Sequence, residues 1–210
     1  MAGNLNPSIF LDIQDIFKKR CITLFIEAYD NSISDESISL DFDENDITAI
    51  LHSYIDKNPK REKWEISTNV ENHLFDKSVP FKKGFSAKLS RIDMRFTQFW
   101  QAKEYRYYIE AKNLKANNSN LKRRYISTGI NNFLQGGKYQ NCDGFLVGYV
   151  LEGTINQCIE GINKLLKKDK REKEMLNEEY ISIHNEKQLF HLFFDYTDLT
   201  LKRLNLIKLL

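Results

Sequence analysis

The chain has 210 residues, 41% of them hydrophobic and 29% charged, with a net charge of +2. That length can bury a sizeable core, and the near balance of charge excludes a protein drawn to nucleic acid by its overall field, leaving only local basic clusters at 57–63, Lys82-Lys83, Lys122-Arg123-Arg124 and 164–173. Cys21, Cys142 and Cys158 form neither a disulfide framework nor a zinc-type cluster, no apolar run is long enough to span a bilayer, and the first residues lack the basic-then-apolar pattern of a signal peptide, so the expectation is a cytoplasmic protein with no membrane attachment.

Residues 8–29 are predicted to form a helix, because Ile9, Ile13, Ile16, Phe17, Cys21, Leu24 and Ala28 recur at helical spacing. A polar Ser/Asp-rich loop is expected over 31–43. A second helix follows over 43–57, capped by Asp43, with Glu44 and Asp46 suited to the positive end of its dipole and Pro59 barring its continuation. Residues 64–74 read as a strand with Trp64, Ile66, Thr68 and Val70 on one face. Two further strands surround 91–96 and 107–112, joined by a hairpin connection over 98–104. After an Asn-rich loop at 113–120, a third helix is expected over 122–135, ended by Gly136-Gly137. The apolar run at 143–151 suits a strand buried on both faces. A fourth helix, capped by Thr154, runs to about 168 with Ile155, Cys158, Ile159, Ile162 and Leu165 as its apolar positions. A charged stretch at 169–179, a last strand at 188–196 and an amphipathic tail at 197–210 complete the chain. This order predicts an α/β (α+β) architecture, a mixed sheet with helices on both faces. It is read as a single domain over 1–210, with a core at about 43–151, the helix at 8–29 in front and an extension at 152–210 behind.

The hairpin carries the chemistry. If it turns between Gln101 and Ala102, Asp93 lies directly opposite Glu110. Residues so paired have Cβ atoms about 4.5–5.5 Å apart, and like charges there repel. A divalent cation such as Mg²⁺, which prefers carboxylate oxygens, would relieve the conflict. Strand alternation puts Arg106, Tyr108, Glu110 and Lys112 on one face and Tyr107, Ile109 and Ala111 on the other. Lys112 then lies roughly 6.5–7 Å along the strand from Glu110, within reach of an attacking water or a phosphate oxygen. Glu44 shares the inward face of the second helix with Ile47 and Leu51, where it either completes a metal shell or complements the helix dipole. Lys122-Arg123-Arg124 at the expected start of the third helix oppose its dipole, a cost that points to phosphate contacts. Lys138 and Tyr139, the latter in a Gln135-x-x-x-Tyr139 spacing, are weaker candidates for the same contact. The bland reading is a surface cluster in which Lys112 neutralises two acids.

These residues resemble the PD-(D/E)xK nuclease superfamily, the restriction-endonuclease-like fold. Ile92-Asp93 stands where that family has Pro-Asp, and Glu110-Ala111-Lys112 matches (D/E)-x-Lys. The likeness covers about 43–151 and leaves out the first helix and the last sixty or so residues. It implies a restriction-endonuclease-like sheet and an Mg²⁺-dependent endonuclease, with Mn²⁺ as a substitute, hydrolysing phosphodiester bonds in DNA, with RNA left open. Asp93, Glu110 and Lys112 would be catalytic, and Asp93, Glu110 and Glu44 would hold the metal. Arg123, Arg124, Lys138 and Tyr139 would touch nucleic acid. It further implies the nuclease part of a prokaryotic restriction or anti-phage defence system, acting as a homodimer or as a subunit of a multi-protein complex. The alternative is a catalytically silent nuclease-fold subunit that binds nucleic acid or a partner protein.

Overall fold

The computed structural model describes residues 7–74, 87, 89–185 and 187–197. Lys82-Lys83 and all but the first residue of the expected tail lie outside them. In chain order the elements are α1 (Pro7–Ser34), α2 (Glu44–Asp56), α3 (Pro59–Lys63), β1 (Ile66–Leu74), β2 (Ser90–Trp100), β3 (Lys103–Lys115), α4 (Ser119–Arg124), a π-helical stretch (Tyr125–Ile130), α5 (Asn131–Phe133), β4 (Gly144–Glu152), α6 (Ile155–Lys168), β5 (Ile181–His184) and β6 (Lys187–Asp195). The six described strands form one sheet in the order β1-β2-β3-β4-β6-β5. Its central pairs, β3–β4 and β4–β6, are parallel, and the outer pairs are antiparallel. The mixed α/β sheet flanked by helices is the expected one.

Each face of the sheet carries its own core. Phe17, Cys21, Leu24 and Phe25 of α1 and Ile47, Leu51 and Ile55 of α2 pack on Tyr107, Ile109, Ala111, Phe145 and Val147. On the other face Tyr125, Ile126, Ile130, Cys158 and Ile162 pack on Tyr108, Leu114, Leu146 and Val150. β4 is buried from Phe145 to Leu151 because it serves both layers. Truncating one of these fully buried side chains, Leu51 for example, would cost about 2–5 kcal/mol.

Both helix caps read from sequence close as capping boxes, Asp43 with Asp46 and Thr154 with Gln157. Several boundaries differ. The first helix continues to Ser34, since Ser32 satisfies its hydroxyl on Tyr29 O and meets Tyr196 Oη without leaving the helix. As expected α2 stops short of Pro59, with Asn58 extended before the proline, and Pro59 itself opens α3, where its missing N–H is harmless. The hairpin connection shrinks to two residues, Gln101 and Ala102, with φ of 48° and 62°, while the strands run on to Trp100 and from Lys103. Two left-handed central residues make the turn whose twist matches the flanking strands. The third helix begins at Ser119, capped by Asn118, and widens into the π-helical stretch before ending at Phe133. β5 was not expected, and the charged stretch before it holds only a 3-10 turn (Glu172–Glu174).

One departure positions the site. The β2–β3 ladder stops at Met94↔Ile109, although β1 and β2 stay paired to Leu74↔Ser90. Ile92 and Met94 belong to opposite cores, so the alternation of β2 breaks at Asp93. Glu71, between the pairs Val70↔Met94 and Asn72↔Ile92, has φ of 49°, a left-handed conformation costly for a residue with a Cβ. The two strands bend together there. A flat continuation would set Ser90 across from Asn113, about 23 Å from Arg106. Instead Leu74 and Ser90 border one cleft with Arg106 and Tyr108.

Candidate active site

The two-residue turn fixes the hairpin register, since Met94 pairs with Ile109 and Trp100 with Lys103. The next pair in that frame is Asp93 with Glu110. At the bend the Asp93 carboxylate turns to accept the Ala111 N–H at 2.7 Å, which replaces the ladder bond lost there. Glu110 Oε1 accepts from Lys112 Nζ at 2.7 Å, and the same ammonium donates to Ala111 O at 2.6 Å. Glu110 and Lys112 are each 5% exposed. The surface-cluster reading fails on that burial. Glu110 Oε2 has no hydrogen-bond partner, the only carboxylate oxygen among the buried, unpartnered side-chain atoms of the described residues. An uncompensated buried acceptor of this kind is expensive.

The electrostatics follow from that placement. Burial pushes the Glu110 carboxyl up to about 7; Asp93 raises it further, while Lys112 and the nearby Tyr139 hydroxyl pull the other way. Burial also raises Asp93, against the pull of Lys112 and the Ala111 N–H; Glu44 and Glu71 add to the rise. For Lys112 burial opposes the charged form, but Glu110, Asp93 and Glu44 outweigh it and leave the ammonium above its ordinary pKa. Two acids held partly against ionisation beside one firmly charged ammonium lack positive charge.

Glu44 does lie over the hairpin, from the first turn of α2. Its Oε1 accepts from Asn113 N–H at 3.1 Å, its Oε2 from Arg124 at 3.1 Å, and Lys112 Nζ is 3.9 Å away. Both of its oxygens are therefore in use, and among the described residues no group of three or more His, Cys, Asp or Glu gathers as a metal cluster. The donors that fit a cation are Asp93 and the free Oε2 of Glu110. A set of one or two carboxylates completed by waters suits Mg²⁺, which gives up its hydration reluctantly.

The basic residues fall elsewhere than expected. Because the helix begins at Ser119, Lys122, Arg123 and Arg124 do not crowd its positive end. Lys122 is buried and donates to Ala116 O, in space left by the missing side chain of Gly161. Arg123 pairs with Asp169, and Arg124 with Glu44. Tyr139 is 3% exposed and packs on Phe133, which removes it as a direct nucleic-acid contact. Its hydroxyl donates to Arg91 O and stands beside Glu110, so it borders the acidic pair from within. Lys138 is exposed on the cleft shared with Arg106. Sequence reasoning missed Tyr139 in this role and Glu71 as a neighbour of Asp93; the positive φ of Glu71 has no signal in residue type.

The π-helical stretch roofs the site. A Cβ at Gly129 would come within 2.8 Å of Leu146 Cδ2, so glycine lets this stretch pack closely on β4, with the Lys112 stem in ordinary van der Waals reach at 3.7 Å.

No described helix is long and apolar enough to cross a membrane. No family model matches the chain, and no curated protein or solved structure is significantly similar to it, so the meaning of this site rests on its own geometry.

Proposed function

We propose that this protein is a divalent-metal-dependent phosphodiesterase of the PD-(D/E)xK type, on a restriction-endonuclease-like sheet, acting on nucleic acid. The observation that carries the reading is the buried, unpartnered Oε2 of Glu110, facing a second desolvated carboxylate and flanked by Lys112. Asp93 and Glu110 would hold Mg²⁺, with Mn²⁺ as a substitute. When bound, the ion would stabilise charge on a phosphoryl oxygen and acidify a coordinated water. Lys112, once a cation shares Glu110, is free to turn from Glu110 Oε1 toward the attacking water or a non-bridging oxygen. Its firmly charged ammonium suits electrostatic stabilisation rather than proton abstraction. Glu44 acts one step back, holding Asn113 N–H and Arg124 and adding negative charge near Lys112. A role within a defence system, in a homodimer or larger complex, comes from the resemblance alone.

The test is cleavage of plasmid, linear and single-stranded DNA and of RNA with Mg²⁺, Mn²⁺ or EDTA, beside Glu110→Ala and Lys112→Ala. Metal-dependent cleavage lost in both variants is expected. Cleavage that persists in EDTA or in either variant would sink the mechanism. The silent-subunit alternative draws on the full engagement of Glu44 and Lys112 by neighbouring groups. It predicts no calorimetric Mg²⁺ or Mn²⁺ binding that depends on Glu110.

A further inference from the structure

We infer, on the basis of that reading, that Glu44 Oε2 occupies the place of a substrate phosphate oxygen, between Lys112 and Arg124, and that a phosphodiester binds by displacing it. Two cations from different elements, β3 and the end of α4, converge on this one oxygen. Arg124 donates to it at 3.1 Å, and Lys112 Nζ stands 3.9 Å from it. Lys112 is in turn 2.7 Å from Glu110 Oε1. A chain of direct contacts therefore leads from Arg124, whose side chain is 54% exposed, to the buried acidic pair.

The fit of Glu44 between the two cations is incomplete, and the shortfall selects the ligand. Its Oε1 is held by Asn113 N–H at 3.1 Å, so Oε2 alone is left to serve both. Lys112 spends two of its three protons on Glu110 Oε1 and Ala111 O, and 3.9 Å to Glu44 is too long a hydrogen bond for the third. A phosphodiester presents two non-bridging oxygens on a tetrahedral centre, one for each cation, and the guanidinium fork suits phosphate. Turning Oε2 aside leaves Oε1 on Asn113, so the exchange replaces one ion pair by another and breaks no backbone contact. A hollow of about 420 Å³ is bordered by Glu44, Asn113, Lys115 and Arg124, so the carboxylate to be displaced lines the approach itself. The neighbouring cations are spent elsewhere, Lys122 on Ala116 O and Arg123 on Asp169. Glu44 is thus an internal competitor. It keeps Arg124 and Lys112 from holding stray anions and yields to one that satisfies both.

The test is a double-mutant cycle read as binding, apart from cleavage. Fluorescence anisotropy in EDTA follows labelled single strands of DNA and of RNA, of one sequence, over a salt series. Arg124→Ala should weaken binding about ten-fold and lower the salt slope by about 0.7, the loss of one phosphate contact on a single strand. Glu44→Gln, which keeps an oxygen for Asn113 N–H, should tighten it about five-fold. With Arg124→Ala already in place, Glu44→Gln should no longer tighten it. Asp41→Asn removes the same charge from the rim of the same hollow and should change affinity much less. Arg124→Lys should recover part of the affinity, and melting temperatures close to wild type exclude misfolding. Additive effects of Glu44→Gln and Arg124→Ala overturn the inference. So does tightening by Asp41→Asn equal to that by Glu44→Gln, or no strand bound at low salt. A calorimetric Mn²⁺ affinity lost in Glu44→Gln would make Glu44 a metal ligand and overturn it too. Mn²⁺ neither bound nor supporting cleavage, with the cycle as expected, refutes the catalytic reading and leaves the phosphate site standing. Metal-dependent cleavage with additive effects does the reverse.

Discussion

Two buried polar regions lie on the same face of the sheet, and they are built on opposite terms. One is the Asp93, Glu110 and Lys112 group. The other is a chain of side chains near the β5–β6 edge. Tyr125 Oη lies 2.8 Å from His191 Nδ1, His191 Nε2 lies 2.8 Å from Ser182 Oγ, and Ser182 Oγ lies 2.7 Å from His184 Nε2. His184 Nδ1 then meets Glu174, which Arg171 holds by two bonds at 3.0 and 2.7 Å. Arg171 also holds the Glu174 carboxyl below its ordinary pKa, so it is an acceptor. With neutral histidines only one proton order works. His184 Nδ1–H donates to Glu174, Ser182 O–H to His184, His191 Nε2–H to Ser182, and Tyr125 O–H to His191. Every hydrogen-bonding atom on this path has a partner. In the acidic group one carboxylate oxygen has none. A Ser-His-Glu set in this spacing would look like a nucleophile triad, yet Ser182 is 0% exposed and no substrate could reach it. The contrast separates a network whose polar atoms are all paired from an acidic group that leaves one buried acceptor without a partner.

The sharpest way to break the contrast is to trade activity against stability. Asp93→Asn, Glu110→Gln and Lys112→Met should each lower cleavage at least about 10³-fold, near 4 kcal/mol of transition-state stabilisation. Asp93→Asn should melt no lower than wild type, because it removes one of two desolvated like charges. Ser182→Ala should do the opposite. It strands a donor on His191 and the acceptor of His184, costing about 2–4 kcal/mol of stability in chemical denaturation, with cleavage per folded molecule unchanged. Equal effects of the two kinds of variant would erase the distinction.

Acidity should divide the regions as well. Glu110 has a folded pKa of about 7, above its ordinary 4.5, so between those values the folded state binds the extra proton. Its contribution is a penalty that grows as pH rises through that window without metal, on the order of 3 kcal/mol, and Glu110→Gln should abolish it. His191 is pushed down to about 3, from 6.5, by burial and then by His184. Here the unfolded chain takes the proton first, so stability is complete above pH 6.5 and falls as pH drops, by about 2 kcal/mol at pH 5. His191→Gln should flatten that limb of a melting-temperature profile. A profile that keeps its acid limb in His191→Gln would count against the proton order given above. The smallest effect belongs to the turn. Gln101→Asn with Ala102→Gly suits both left-handed positions and should raise the melting temperature by a few degrees, about 1 kcal/mol.

The comparison also marks what a sequence discloses. Asp93, Glu110 and Lys112 can be brought together on paper because a hairpin is local. One assumed centre and a period of two place all three, and the ladder from Trp100↔Lys103 to Met94↔Ile109 has that centre. The capped helices at Asp43 and Thr154 were legible for the same reason. The histidine chain was not, since its members come from positions 125, 174, 182, 184 and 191 and meet only through the tertiary fold. β5 has four residues in a charged neighbourhood and offers too short a pattern. The bend at Asp93 involves neither Gly nor Pro; it is imposed by packing Ile92 and Met94 into different cores. Tyr139 and the pairings of Arg123 and Arg124 depend on that packing too.

The two-residue turn at Gln101 and Ala102 has a reach well beyond its own atoms. It acts as a frame setter, like the start of a reading frame, for everything along β2 and β3. Adding or deleting one residue at its tip would leave both strands, both helix layers and every side chain of the acidic group present. It would nonetheless rotate one carboxylate to the opposite face. Over generations, then, this exposed tip should tolerate changes of letter but not of length.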